Sequence, residues 1–278
     1  MAIYIWIKMT KLTFLGTAGG RFATVFQKRA TGGIYVTDKG IMLHLDPGPG
    51  ALVRMHELGL DPTKTDALLI SHCHPDHYTD AEVLIEGMTR GGIDNKGVLI
   101  GSESVISGFD NIGPAVSKYH LGLLAETHKV APGDRIRLGE WYEAEATPTQ
   151  HSDPTTVGFK LHMSEGTISY VSDTAYFEGL AEAHKGSRLM VICMTRPLNA
   201  RIPYHLCTED VVELVKIAKP KLAVITHMGM KILKGDPSFE ANWIAEETGI
   251  PTIAARDYMS IYLGDKIEIK RMLPVRNP

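Results

Sequence analysis

Three imidazoles and a carboxylate fall within six residues at His72-x-His74-x-Asp76-His77, and no other feature constrains this chain as strongly. The cluster follows Ala67-Leu68-Leu69-Ile70, a short apolar run that reads as a buried strand. Alternation along an extended chain aims His72 and His74 the same way. Pro75 then bends the backbone, so Asp76 and His77 can face a second ion. Imidazole and carboxylate suit zinc and other borderline divalent ions, and a ligand set without thiolate fits a catalytic metal better than a structural one. A solvated loop is the plain reading of one histidine; this spacing is costly to keep unless something uses it.

The rest of the chain can support such a site. At 278 residues with 44% apolar and 22% charged side chains, it can bury a sizeable core. We expect one domain over 1–278, since no low-complexity stretch or linker divides it. The net charge of -3 gives no general reason to bind nucleic acid or an anionic membrane. Cys73, Cys193 and Cys207 show no paired spacing, which argues against a disulfide framework and favours a reducing, cytoplasmic setting. Residues 1–10 read as a tail or an edge strand rather than a signal peptide. No apolar run approaches the roughly 18 residues of a membrane span.

Strands and helices alternate in both halves. A hairpin is expected over 33–37 and 41–45, then a loop at Asp46-Pro47-Gly48-Pro49-Gly50 and a helix with Leu52, Met55 and Leu58 at helical spacing. Thr79 is a candidate N-cap for a helix through Val83, Leu84 and Met88. Residues 103–125 lack periodicity and read as an irregular insertion. Strands follow near 127–131, 135–138, 141–148, 156–162, 167–172, 190–193 and 222–225, with helices near 178–184 and from Thr208 to Ile217. This alternation suggests two sheets with helices outside.

The first histidine motif resembles the signature of the metallo-β-lactamase superfamily, and further single residues follow in that family's order. Asp46 follows the strand 41–45, His151 follows Thr147-Pro148-Thr149-Gln150, Asp173 sits in Val171-Ser172-Asp173-Thr174, and His227 sits in Ile225-Thr226-His227-Met228. The resemblance spans roughly 11–257 and implies an α+β fold, the four-layer αββα sandwich. It implies that His72, His74 and His151 hold one divalent ion, that Asp76, His77 and His227 hold another, and that Asp173 bridges them. Asp46 would support the ligands as a buried carboxylate. Zinc is the expected metal, with manganese and iron as alternatives. The implied chemistry is hydrolysis by a metal-bridging hydroxide, with Asp76 and Asp173 in the catalytic set.

His205, in Pro203-Tyr204-His205-Leu206-Cys207-Thr208, resembles the histidine that contacts the scissile phosphate in ribonuclease Z and in the cyclic-phosphate phosphodiesterase of phosphonate breakdown. It is the candidate proton donor. Phe14-Leu15-Gly16-Thr17-Ala18-Gly19-Gly20 resembles the opening of the same group. Only 21 residues separate His151 from Asp173, too few for the tRNA-gripping arm of ribonuclease Z, so tRNA is not the expected partner. Arg196, Arg201 and Arg29 are candidate contacts for a small anionic substrate. The favoured function is a phosphodiesterase on a small molecule or short nucleic acid. A lactone, thioester or other carboxylic-ester hydrolase and a non-catalytic metal-binding module are the alternatives. The resemblance also admits a homodimer.

Overall fold

The structure is a computed structural model and describes residues 9–139 and 142–274. The chain forms two compact units, one built from Ala30–Val130 with the segments up to Gly16 and from Arg256 on, the other from Thr17–Arg29 and Ala131–Ala255.

The first unit holds an eight-stranded sheet. Its strands, numbered along the chain, are β1 (Thr10–Phe14), β2 (Ile34–Asp38), β3 (Ile41–Leu45), β4 (Ala67–Ile70), β5 (Val98–Gly101) and β6 (Glu126–Lys129), with β15 (Met259–Leu263) and β16 (Ile267–Arg271) from the C-terminal segment. Their order is β16-β15-β1-β2-β3-β4-β5-β6. Strands from β16 to β3 pair antiparallel, whereas β3 to β6 pair parallel. Parallel neighbours need crossover connections, and helices Ala51–Glu57 and Ala81–Thr89 supply two of them. Met55, Leu84, Ile85 and Met88 of these helices pack on Leu68, Ile70 and Leu99. Burying each such side chain contributes about 2 kcal/mol. All four residues of β4 are buried, as a central parallel strand requires.

The second unit holds β7 (Arg135–Leu138), β8 (Tyr142–Thr147), β9 (Gly158–Met163), β10 (Gly166–Val171), β11 (Leu189–Arg196), β12 (Leu206–Cys207), β13 (Leu222–Thr226) and β14 (Thr252–Ala254). The order is β14-β13-β11-β10-β9-β8-β7, with β12 beside β11. β7 to β10 form an antiparallel meander, and β10, β11, β13 and β14 run parallel. Helices Thr208–Ala218 and Pro237–Thr248 contribute Val211, Leu214, Val215 and Ile244 to the core with Met190, Ile192 and Ile225. Tyr176 and Phe177 pack against that core.

The expected strands and helices appear within a few residues of their predicted bounds. Residues 103–125 contain two short helices, Glu103–Ile106 and Lys118–Leu121. The N-terminal expectation falls on residues 1–8, outside the described residues, while Thr10 opens β1. Thr79 is not an N-cap. It closes the short helix Pro75–Tyr78, its hydroxyl donating to the Pro75 carbonyl, and Asp80 occupies the cap of the next helix. The Asp80 carboxylate instead accepts from the amides of Gly50 and Leu52 at the start of helix Ala51–Glu57. It thereby ties the loop after Asp46 to the end of the histidine motif. No helix among the described residues is long and apolar enough to cross a membrane.

Candidate metal centre

In the first unit the histidine motif begins where β4 ends. His74 is the N-cap and Pro75 the first residue of helix Pro75–Tyr78, so the chain turns from extended to helical between the second and third candidate ligands. His72 Nε2 and His74 Nδ1 face each other at 2.9 Å. His77 Nε2 lies 3.9 Å from Asp76 Oδ2. Gly48 is needed for this turn: a β-carbon there would lie 2.1 Å from the Asp76 carbonyl and 2.3 Å from that of Thr31.

Asp46 anchors the group from behind. Its backbone is left-handed, with φ of 47°, and its carboxylate is buried. It accepts from the Ser71 amide, the Ser71 hydroxyl and His77 Nδ1, each at 2.7 Å. The Ser71 hydroxyl in turn accepts from His72 Nδ1 at 2.9 Å. These bonds place a proton on Nδ1 of both rings and turn the Nε2 lone pairs of His72 and His77 outward, the tautomer that metal ligation needs.

In the second unit Asp173 follows β10 and is 3% exposed, and three imidazoles converge on it. His151 Nε2 lies 3.8 Å and His205 Nε2 3.6 Å from Asp173 Oδ2, while His227 Nδ1 lies 3.1 Å from Oδ1. Two successive carbonyls orient two of these rings. Tyr204 O accepts from His151 Nδ1 and Pro203 O accepts from His205 Nδ1, both at 3.0 Å. Both Nε2 atoms therefore face the carboxylate. The His151 and His205 rings meet edge to face, with centroids 5.2 Å apart.

His227 directly follows β13, and its φ of 54° puts it in the left-handed region. Thr195 Oγ1 lies 3.1 Å from its Nδ1. The glycine-rich opening secures it further: Met228 N donates to Thr17 O and Gly19 N to Met228 O.

The predicted arginines have protein partners. Arg29 donates to the Ala255 carbonyl and the Thr17 hydroxyl, bracing the glycine-rich segment. Arg196 Nε donates to the Ala200 carbonyl, closing its own loop. Arg201 Nη2 pairs with Asp210 Oδ1 at 2.6 Å. Asp210 Oδ2 also accepts from the Cys207 amide and thiol, capping helix Thr208–Ala218. Burial and this acidic neighbour push the Cys207 thiol up to about 11, so it stays protonated at neutral pH.

Sequence reasoning missed several supports. Ser71 and Thr195 carry no motif signal, because hydroxyls next to ligands are common everywhere. The Tyr204 carbonyl is a backbone atom and has no sequence signature. The Cys193 thiol lies within 4.8 Å of candidate ligand atoms of Asp173 and His227, although in the sequence Cys193 is only the end of an ordinary apolar run, Met190-Val191-Ile192-Cys193.

The donor set fits divalent ions on chemical grounds. Each unit gathers imidazole nitrogens and carboxylate oxygens, with Nδ1 protons held from behind on His72, His77 and His151. Nitrogen lone pairs directed at carboxylates and at one another are poorly placed as neutral groups and well placed around a cation.

Comparison with known proteins agrees. Residues 42–228 match the model of the beta-lactamase superfamily domain. The chain is 43% identical to "Uncharacterized protein MJ1374" of Methanocaldococcus jannaschii, over 93% of this chain and 95% of that protein. It is 36% identical to the ribonuclease Z of Thermococcus kodakarensis, covering 90% of this chain and 94% of the relative. The metallo-beta-lactamase fold protein YhfI from Bacillus subtilis superposes with a TM-score of 0.74 at 18% identity, over 92% of this chain and all of that one, 100%. Fold and family together define a metal-dependent hydrolase with the α+β, αββα fold class expected from the sequence. The chain belongs to the metallo-β-lactamase superfamily and stands in its ribonuclease Z-like branch.

Proposed function

We propose that this protein hydrolyses a phosphodiester in a small anionic substrate, with His205 donating the proton that the departing oxygen needs. In this reading His72, His74 and His151 hold one divalent ion, Asp76, His77 and His227 hold the other, and Asp173 is shared. Zinc suits the ligand set, with manganese or iron as alternatives. Two such ions, when bound, supply an acidified water as nucleophile. The remaining work falls to the chain. Asp46 and Ser71 lock the tautomers of His72 and His77. Asp76 and Asp173 supply the carboxylates, and Asp173 faces His205.

The observation that carries the proposal is the extra imidazole on the buried carboxylate. His205 adds a third ring to Asp173 beyond the two that ligation calls for, and its Nδ1 is already spent on Pro203 O. Its Nε2 is thus the atom able to pass a proton to a leaving group. The name of the Thermococcus relative supports a phosphodiester as the bond cleaved. The short segment between His151 and Asp173 supports a small substrate over tRNA, and the sparse cysteines fit a reducing cytoplasm.

Leaving-group dependence tests this reading. An acid catalyst matters most when the departing oxygen is basic. His205→Ala should lower kcat about 100-fold or more on a methyl or nucleoside leaving group, and much less on p-nitrophenolate. Equal losses on both would remove His205 from proton transfer. Turnover of lactones with no phosphodiesterase activity would remove the phosphodiester itself.

A further inference from the structure

We infer that Tyr204 is a specificity-determining residue, a stacking platform for a planar ring carried by the substrate next to its phosphate. The inference rests on the phosphate-ester reading of the same site and names what flanks the phosphate: a nucleobase or similar flat heterocycle.

Three observations converge on this side chain. Tyr204 has φ of 64°, in the left-handed region where a residue with a ring is disfavoured and glycine or asparagine is tolerated. The residue is also 48% exposed, so core burial does not repay that conformation. Its carbonyl accepts from His151 Nδ1, and its ring stands edge to face against the His151 ring at 6.3 Å and 87°. The phenol is thus fixed beside the imidazoles that surround Asp173, directly before His205, with a large part of its surface open.

The carbonyl contact alone does not require tyrosine. Any residue supplies a carbonyl, and glycine would supply it here with less backbone strain. What tyrosine adds is a rigid aromatic surface with few rotatable bonds. Such surfaces bind bases by stacking, with little regard to sequence. The neighbouring arginines do not offer an equivalent face, since Arg201 is paired with Asp210 and Arg196 closes its own loop.

The test compares two phosphate monoesters of the same charge on the metal-loaded protein by calorimetry. Thymidine 5′-monophosphate carries the ring; 2-deoxyribose 5-phosphate lacks it. The intact protein should bind the nucleotide about tenfold more tightly. Tyr204→Phe should keep that preference. Tyr204→Gly, which retains the left-handed backbone and the carbonyl, should abolish it, as should Tyr204→Ala. Equal binding of both esters by the intact protein, binding of neither, or a preference that survives Tyr204→Gly would overturn the platform. The outcome is separable from the hydrolytic reading: a nucleotide preference lost in Tyr204→Gly, with no turnover of thymidine p-nitrophenyl phosphate, would leave the platform standing and remove the phosphodiesterase.

Discussion

The backbone of Gly19 packs so close to the imidazole of His227 that a β-carbon on Gly19 would sit 2.0 Å from Cδ2 of the ring. No side chain can occupy that space while the ring stays where Thr195 holds it. Gly19→Ala should therefore displace His227 without unfolding the second unit. We expect a protein with native circular dichroism, reduced metal stoichiometry by elemental analysis, and at least a tenfold loss of kcat/KM. Full metal content with native activity in this variant would show that His227 is not a ligand.

The Asp46 carboxylate is buried and accepts from the Ser71 amide, the Ser71 hydroxyl and His77 Nδ1, the groups it orients. Asp46→Asn keeps the shape but offers an amide NH2 where Ser71 and His77 both donate. Metal affinity should fall about 10- to 100-fold, the usual cost of removing an orienting carboxylate behind a ligand. Competition with a chromophoric chelator reads this directly.

Metal removal should itself destabilise the protein, because only the folded chain gathers the ligands. At a free ion concentration 100 times the dissociation constant, binding adds about 2.7 kcal/mol. Dialysis against a chelator should lower Tm by several degrees, and readdition of zinc or manganese should restore it. An unchanged Tm would contradict a tightly held ion.

Two buried histidines make the fold acid-sensitive. Burial lowers His44 to about 4 and His184 to about 3 from the usual 6.5, with Lys160 adding to the effect at His184. The unfolded chain takes up these protons first. The stability is therefore complete above about pH 6.5 and declines as pH falls towards 4 for His44 and 3 for His184. At pH 5 His184 alone should cost roughly 2 kcal/mol. Urea midpoints at pH 7 and pH 5 measure the loss, and His184→Asn should narrow the gap between them.

Asp210 joins the loop carrying His205 to the helix after it, since it holds Arg201 with one oxygen and the Cys207 amide and thiol with the other. Asp210→Ala should cost about 1–2 kcal/mol as a lost helix cap. It should also lower kcat, because the Pro203 and Tyr204 carbonyls lose their anchorage. A variant destabilised in urea but unchanged in kcat would separate the helix cap from the loop.

Much of the fold is legible because its signals are local. The run Ala67–Ile70 marks a buried strand on composition alone, and the structure has β4 at those same residues. Thr208 to Ile217 shows helical periodicity, and the helix runs Thr208–Ala218. Asp80 was not legible as the partner of Gly50 and Leu52, because its bonds cross 30 and 28 residues of sequence. Thr79 resembled a cap because threonine is a favoured N-cap residue; here the short helix begun at Pro75 consumes it.

The sequence by itself determined the chemistry on offer: which histidines and aspartates stand at strand ends, in what order, and hence the superfamily. Side-chain type and spacing are properties of the chain, and they suffice to say that a divalent ion suits these residues. Only the tertiary structure decided how each ring is aimed. The tautomers of His72, His77, His151 and His205 depend on a hydroxyl, a carboxylate and two carbonyls, three of the four rings drawing on partners that are not their sequence neighbours or on backbone atoms that carry no code. Hydrogen bonds act over about 3 Å of space, whatever the distance along the chain, and that is why folding had to choose those partners.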